Sequence, residues 1–161
     1  MNDAASGGLN DLLKQALESV EHLHRALREE HTALTSNNLP GFEAAIQKKV
    51  AHTSTLENLE KNIFSLLRNA GYSWDKSGLN DYVETLDSPA EKRSILRQWE
   101  KLRDAIIQCQ TQNHINGRIL NIASLNIRQA LEVLTGQKSG NTYSADGKPQ
   151  EGGNNDKIAI A

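Results

Sequence analysis

Histidine and carboxylate side chains are the residues of this sequence that could hold a metal. The segment Glu21-His22-Leu23-His24 contains one Glu-x-x-His of the kind that di-iron helical bundles use. Such a site needs two copies of the motif and further carboxylates from other helices, and the sequence contains one copy. The other histidines, His31, His52 and His114, have no partners at ligand spacing. We therefore expect solvated histidines, with no metal and no cofactor.

Other kinds of catalytic chemistry have no motif here either. The sequence contains no glycine-rich phosphate loop, nucleotide-binding fingerprint or nucleophile elbow. The single cysteine, Cys109, falls at an apolar position of a helical repeat, where a thiol packs as a small hydrophobe. The 18 basic and 20 acidic residues nearly balance, which argues against nucleic acid or an anionic membrane as a partner. The sequence favours a binding or structural protein over an enzyme.

Three polar residues, Glu30, Lys49 and Asn113, occupy apolar positions of helical repeats. Counting outward from the turns of an antiparallel bundle places them within about one helical turn of the same layer. A buried charge without a partner costs several kcal/mol, so we expect the three groups to bind one another. Such a buried polar layer fixes helix register more than it adds stability. The alternative is a catalytic or ligand site.

Composition and periodicity predict the helices that must position these residues. Few prolines and aromatic residues, against abundant leucine, alanine, glutamate and lysine, favour helix over strand. Apolar residues that recur every three or four positions predict helices over residues 10–36, 39–70 and 89–135, after a flexible Gly7-Gly8 start. The connector before the third helix holds a short helix, because four apolar residues share one face: Leu79, Tyr82, Val83 and Leu86.

The expected fold is all-α: an antiparallel, coiled-coil-like three-helix bundle with a long third helix and a short connector helix. This helical domain covers residues 1–136. Residues 137–161 are rich in glycine, asparagine and serine and are expected to form a disordered tail. Since there is no signal peptide and no apolar run of about 18 residues, we expect a cytoplasmic protein without stable membrane insertion.

The second half of the third helix differs from the rest of the chain. At about 1.5 Å per residue this helix would measure roughly 70 Å, against roughly 40 to 50 Å for the first two. If the second helix runs antiparallel to the third, the covered stretch of the third should end near Asn121 or Ile122. Beyond Asn116-Gly117 charges become rare and a second apolar ridge opens. A wide stripe also fits a helix that contacts two neighbours of its own bundle.

We expect this half of the helix to bind another helix. The residues expected to face that partner helix are Ile115, Ile119, Ile122, Leu125, Ile127 and Val133. Those expected to be shared between the core and the partner helix are Leu120, Ala123, Leu131 and Leu134.

Several segments, taken together in order and spacing, resemble the FlgN family of flagellar type III export chaperones. They are Glu30-x-x-x-Leu34, Lys49 before Leu56-Glu57-Asn58-Leu59-Glu60, Ala70-Gly71-Tyr72, and Trp99-x-x-Leu102 before Asn113-x-x-Asn116-Gly117. In the tail, Thr142-Tyr143-Ser144-Ala145-Asp146-Gly147 resembles the family's Tyr-x-x-x-Gly motif.

The resemblance implies a non-enzymatic cytoplasmic chaperone of hook-filament junction (hook-associated) proteins. Such a chaperone binds the C-terminal helical regions of its clients, prevents their premature assembly and delivers them to the type III export gate. The resemblance further implies that the second half of the third helix holds the client and that Tyr143 contacts the export gate. The alternative function is a structural coiled coil, such as a homodimer, without a secretory client.

Overall fold

The computed structural model describes residues 3–135, and their side chains from residue 8 onward. Within that range the chain forms four helices and no strand: α1 (Asp3–Thr35), α2 (Leu39–Asn69), α3 (Lys76–Glu84) and α4 (Pro89–Thr135). The all-α prediction, with a short connector helix and a long last helix, is confirmed. The predicted tail, with Tyr143, lies outside the described residues.

The start of α1 differs from the prediction. The helix begins at Asp3 and runs through Gly7 and Gly8, where we expected a flexible segment. A side chain built at Gly8 would lie 3.6 Å from Leu66 Cδ1, so α2 packs directly against this turn. Close packing of this kind outweighs the weak helix propensity of glycine.

Capping residues fix the starts of the later helices. The Asn38 side chain accepts a hydrogen bond from Gly41 N at 3.1 Å before α2, and Asp75 accepts one from Gly78 N at 2.8 Å before α3. Ser88 Oγ accepts one from Glu91 N at 3.3 Å at the start of α4. Each side chain satisfies a backbone donor that the first helical turn leaves free.

The helices of residues 3–120 form an up-down-up bundle. α1 and α2 run antiparallel, since Lys48 contacts Glu29 close to the turn and Leu66 lies opposite Gly8 far from it. α1 and α4 run parallel, because a residue near the start of α1 contacts the start of α4 and a residue near the end of α1 contacts a later part of α4. Ser94 Oγ donates to Asn10 Oδ1 at 3.0 Å, and Asn116 Nδ2 donates to the Leu27 carbonyl at 2.8 Å.

One core joins the four helices. The predicted face of α3 is buried in it, and Tyr82 meets Tyr72 edge to face with ring centroids 5.6 Å apart. Its buried residues are Leu9, Leu13, Ala16, Val20, Leu27, Leu59, Ile63, Leu67, Leu79, Tyr82, Val83, Leu86, Ile95, Leu102 and Cys109. The core therefore ends, along α4, at Cys109.

The chain divides into two compact units, with the boundary between Leu120 and Asn121 inside α4. The described part of the second unit is the helical segment 121–135. The domain limits 1–136 and 137–161 stay a prediction. Among the helices of residues 3–135, none combines the length and the apolar character that a membrane span requires.

Candidate functional site

The polar residues expected in one layer lie together in the first unit. Lys49 Nζ lies 3.3 Å from Glu30 Oε2 and donates to Asn113 Oδ1 at 2.8 Å. Glu30 is only 1% exposed, and Lys49 is half-buried. Asn113 is exposed, so its assignment to a buried layer was wrong. Asn113 lies at the edge of the cluster because it faces Lys49 of α2. A different asparagine of α4 faces α1.

That other asparagine is Asn116, which is 1% exposed. Its Nδ2 donates to Glu30 Oε2 at 2.9 Å and to the Leu27 carbonyl at 2.8 Å. Its Oδ1 accepts a hydrogen bond from Gln112 Nε2 at 3.0 Å and lies 3.2 Å from His31 Nδ1. Glu30 therefore has two partners, one charged and one neutral. The sequence signal for Asn116 was its own apolar repeat position, three residues after Asn113.

The histidines are less uniformly solvated than expected. His31 is partly buried beside Asn116, and the rings of His22 and His52 meet edge to face with centroids 5.2 Å apart. Among residues 3–135, no group of three or more histidine, cysteine or carboxylate side chains is placed to hold a metal ion.

Cys109 packs as the repeat predicts. The thiol is buried in the core and lies 3.4 Å from the Val20 carbonyl oxygen. Burial raises the pKa of the Cys109 thiol to about 11, because the thiolate would lose its hydration. A thiol of this kind is inert rather than nucleophilic.

The segment 121–135 of α4, here called the exposed segment, is apolar and open to solvent. Six large apolar side chains in it are 54% to 82% exposed: Ile122, Leu125, Ile127, Leu131, Val133 and Leu134. Its charged residues are Arg128 and Glu132. Contiguous apolar surface with so few charges is characteristic of a protein-binding site.

The remaining candidates divide between buried and exposed positions. In the first unit, Ile115 is 40% exposed, whereas Ile119 and Leu120 are half-buried. Ala123, Leu131 and Leu134 were expected to share the core with the client, but all three are exposed. The described part of the second unit is a single helical segment, and one helix cannot bury its own apolar face.

Comparisons with known proteins point to one family. A family model described as "FlgN protein" matches residues 1–151. A crystal structure from Pseudomonas aeruginosa, described as that of a flagella synthesis protein FlgN, is similar to this chain with 29% sequence identity and a TM-score of 0.63. The match covers 71% of this chain and 88% of that one. No curated protein matches this chain.

Proposed function

Because the chain belongs to the FlgN family, we propose that it is a cytoplasmic, non-enzymatic export chaperone of the bacterial flagellum. Its clients are hook-filament junction proteins, and it binds their C-terminal helical regions. The chaperone prevents premature assembly of these proteins and delivers them to the type III export gate. The observation that carries the proposal is the exposed segment of α4.

The physical basis is mutual burial of two apolar helix faces. A client helix that is amphipathic and not yet assembled exposes a face that would otherwise drive aggregation. A second helix that lies along it removes both apolar surfaces from water, at about 25 cal/mol per Å². The process needs no nucleotide, metal or cofactor.

The low charge of the exposed segment predicts the character of this binding. With Arg128 and Glu132 as its charged residues, the surface offers little electrostatic steering. We expect association rates that change little with ionic strength and an affinity set by apolar contacts. The client-facing residues are Ile122, Leu125, Ile127 and Val133, with Ile115 and Ile119 from the first unit.

Delivery requires a second contact, and we propose that Tyr143 provides it at the export gate. This assignment follows the Tyr-x-x-x-Gly resemblance around Tyr143. Replacement of Tyr143 by alanine should leave client affinity unchanged and reduce secretion of the client into the medium. Equal loss of binding and secretion would contradict a separate docking role.

A structural homo-oligomer is the second candidate function, and the same exposed segment favours it. Exposed apolar residues on a long helix can pair with a second copy of the chain as well as with a client. The two functions differ in what covers this surface in the purified protein.

Light scattering on the full-length chain, with and without the C-terminal helical segment of a hook-filament junction protein from the same bacterium, tests the proposal. We expect the client segment to form a complex of defined mass with the chain. A stable dimer that is indifferent to the client segment would instead establish the structural coiled coil.

A further inference from the structure

A second apolar surface lies in the first unit, on residues that the proposed function does not use. It is a groove of about 340 Å³ whose floor is formed by core side chains, among them Ala16, Ile63 and Leu102. Trp74, from the loop before α3, and Trp99, from α4, both line it and meet edge to face with ring centroids 4.7 Å apart. Its volume lies in the range of sites that bind ligands or side chains.

The groove exists because three repeat positions that are expected to be buried in the bundle are exposed or only half-buried. Thr53 and Leu56 of α2 and Ile106 of α4 occupy the apolar repeats that predict burial. In the structure Thr53 is exposed, Leu56 is half-buried and Ile106 is 39% exposed. All three line the groove, so an apolar floor is left without a covering side chain from this unit.

The groove also extends into a neighbouring hollow. A shallower hollow of about 350 Å³ continues from it and shares Trp74, Glu57 and Glu60. Phe64, which is half exposed, Lys61 and Ser65 complete this second hollow. An elongated apolar path of this kind fits several consecutive residues of a peptide chain.

The charge at the rim is acidic. Glu57 and Glu60 are exposed and make no ion pair with any of the described residues. Two cations line this path, Arg103 in the groove and Lys61 in the second hollow. Arg103 is balanced by Asp104, with Nη2 and Oδ1 3.7 Å apart, so the two glutamates outnumber the one remaining cation. A partner with a lysine or arginine beside an apolar side chain complements this arrangement, whereas phosphate groups would be repelled.

We propose that this groove docks a basic-apolar peptide segment of a partner protein. An aliphatic side chain of the segment enters beside Trp99 and Ile106, and an adjacent lysine or arginine pairs with Glu57 and Glu60. The site uses none of the residues assigned to the client, so its test is independent of the test of the proposed function.

The two tryptophans of the chain both line the groove, so intrinsic fluorescence reports its occupancy directly. The probe is the capped peptide Lys-Leu-Ala-Leu-Lys, titrated into the full-length chain, with Glu-Leu-Ala-Leu-Glu as its matched control. We expect a saturable change in tryptophan emission with a midpoint below about 1 mM for the basic peptide. The midpoint should rise with added salt.

Two pairs of variants locate the binding. Glu57→Lys with Glu60→Lys should raise the midpoint at least about tenfold, whereas Glu18→Lys with Glu21→Lys, an exposed α1 pair with the same spacing, should not. Ile106→Gln should weaken the response, whereas Ile107→Gln, at a neighbouring residue that is 52% exposed and outside the groove, should retain it.

Three results would overturn the proposal. The first is an equal response to the acidic peptide, and the second is an equal effect of test and control variants. The third is an emission change that follows chain concentration without any peptide, because a second copy of the chain would then occupy the groove.

Discussion

Two neighbouring lysines show how burial decides what an ion pair contributes. Lys48 pairs with Glu29 at 2.6 Å on the surface, and Lys49 pairs with the buried Glu30 at 3.3 Å. We expect Lys49→Met to lower the free energy of unfolding by about 3 kcal/mol, because it removes the charged partner of a buried carboxylate. Lys48→Met should cost at most about 1 kcal/mol. Urea unfolding of both variants measures the difference.

Replacement of both members of the Glu30 and Lys49 pair gives a second test of what the pair contributes to stability. Glu30→Leu combined with Lys49→Met leaves no unpaired charge, so it should be less destabilising than Lys49→Met alone. Asn116 would still donate to the Leu27 carbonyl in that double variant. A double variant as unstable as the single one would show that the pair is not the source of the effect.

The Cys109 thiol should label slowly in the folded protein. With a pKa of about 11, only about one thiol in a thousand is ionised at pH 8, and the side chain is buried. Because the folded pKa lies above that of the unfolded chain, this group costs stability as the pH rises from about 9 toward 11. Labelling with a chromogenic disulfide should follow the unfolding rate, and fast labelling in native buffer would contradict the burial.

Repeat positions, together with the count of residues outward from the turns, predicted that Glu30 and Lys49 would meet. The same reasoning placed Asn113 in the core and gave no partners to Asn116. Periodicity fixes which residues share a helix face, but not how far the helix is rotated toward each neighbour. That rotation turns Asn116 toward α1 and Asn113 toward the edge.

At the element scale, two helical glycines should respond oppositely to substitution. A side chain at Gly117 of α4 would meet nothing within 4 Å, so Gly117→Ala should raise the free energy of unfolding by about 0.5 to 1 kcal/mol. A side chain at Gly78 of α3 would clash with the Ser73 backbone, so Gly78→Ala should lower it. Thermal melts of the two variants measure both shifts. Destabilisation by Gly117→Ala would contradict the open space around this position.

Local signals predicted most of the elements. The observed starts of α2 and α4 lie within a residue or so of the capping and proline signals in the sequence, which are Asn38, Pro40, Ser88 and Pro89. The start of α1 could not be predicted in this way, since Gly7 and Gly8 form helix against an intrinsic preference. The contact between Gly8 and Leu66 is a property of two helices together, which the sequence of either one does not contain.

The described part of the molecule has two apolar surfaces, and they differ in charge. The exposed segment is apolar and nearly uncharged, and the groove at Trp74 and Trp99 is apolar with an acidic rim. The sequence pointed to the first through its missing charges. It gave no sign of the second, because Thr53, Leu56 and Ile106 occupy repeat positions that usually close a bundle.

In the proposed function, a client helix binds the exposed segment. Ile122→Asp with Val133→Asp places two charges on one ridge of this segment, where both side chains are more than half exposed. The fold should be almost unaffected, because surface substitutions usually change stability by about 0.5 kcal/mol or less. Asn121→Asp with Ser124→Asp adds the same charge at exposed positions on the other side of the helix and serves as the control.

Calorimetric titration of the three full-length proteins with the C-terminal helical segment of a hook-filament junction protein is the most direct measurement. We predict that the Ile122 and Val133 variant loses affinity by a factor on the order of 100, with unchanged helicity, and that the control variant binds as the wild type does. Equal affinity in all three proteins would contradict client binding at the exposed segment, as would global unfolding of the Ile122 and Val133 variant.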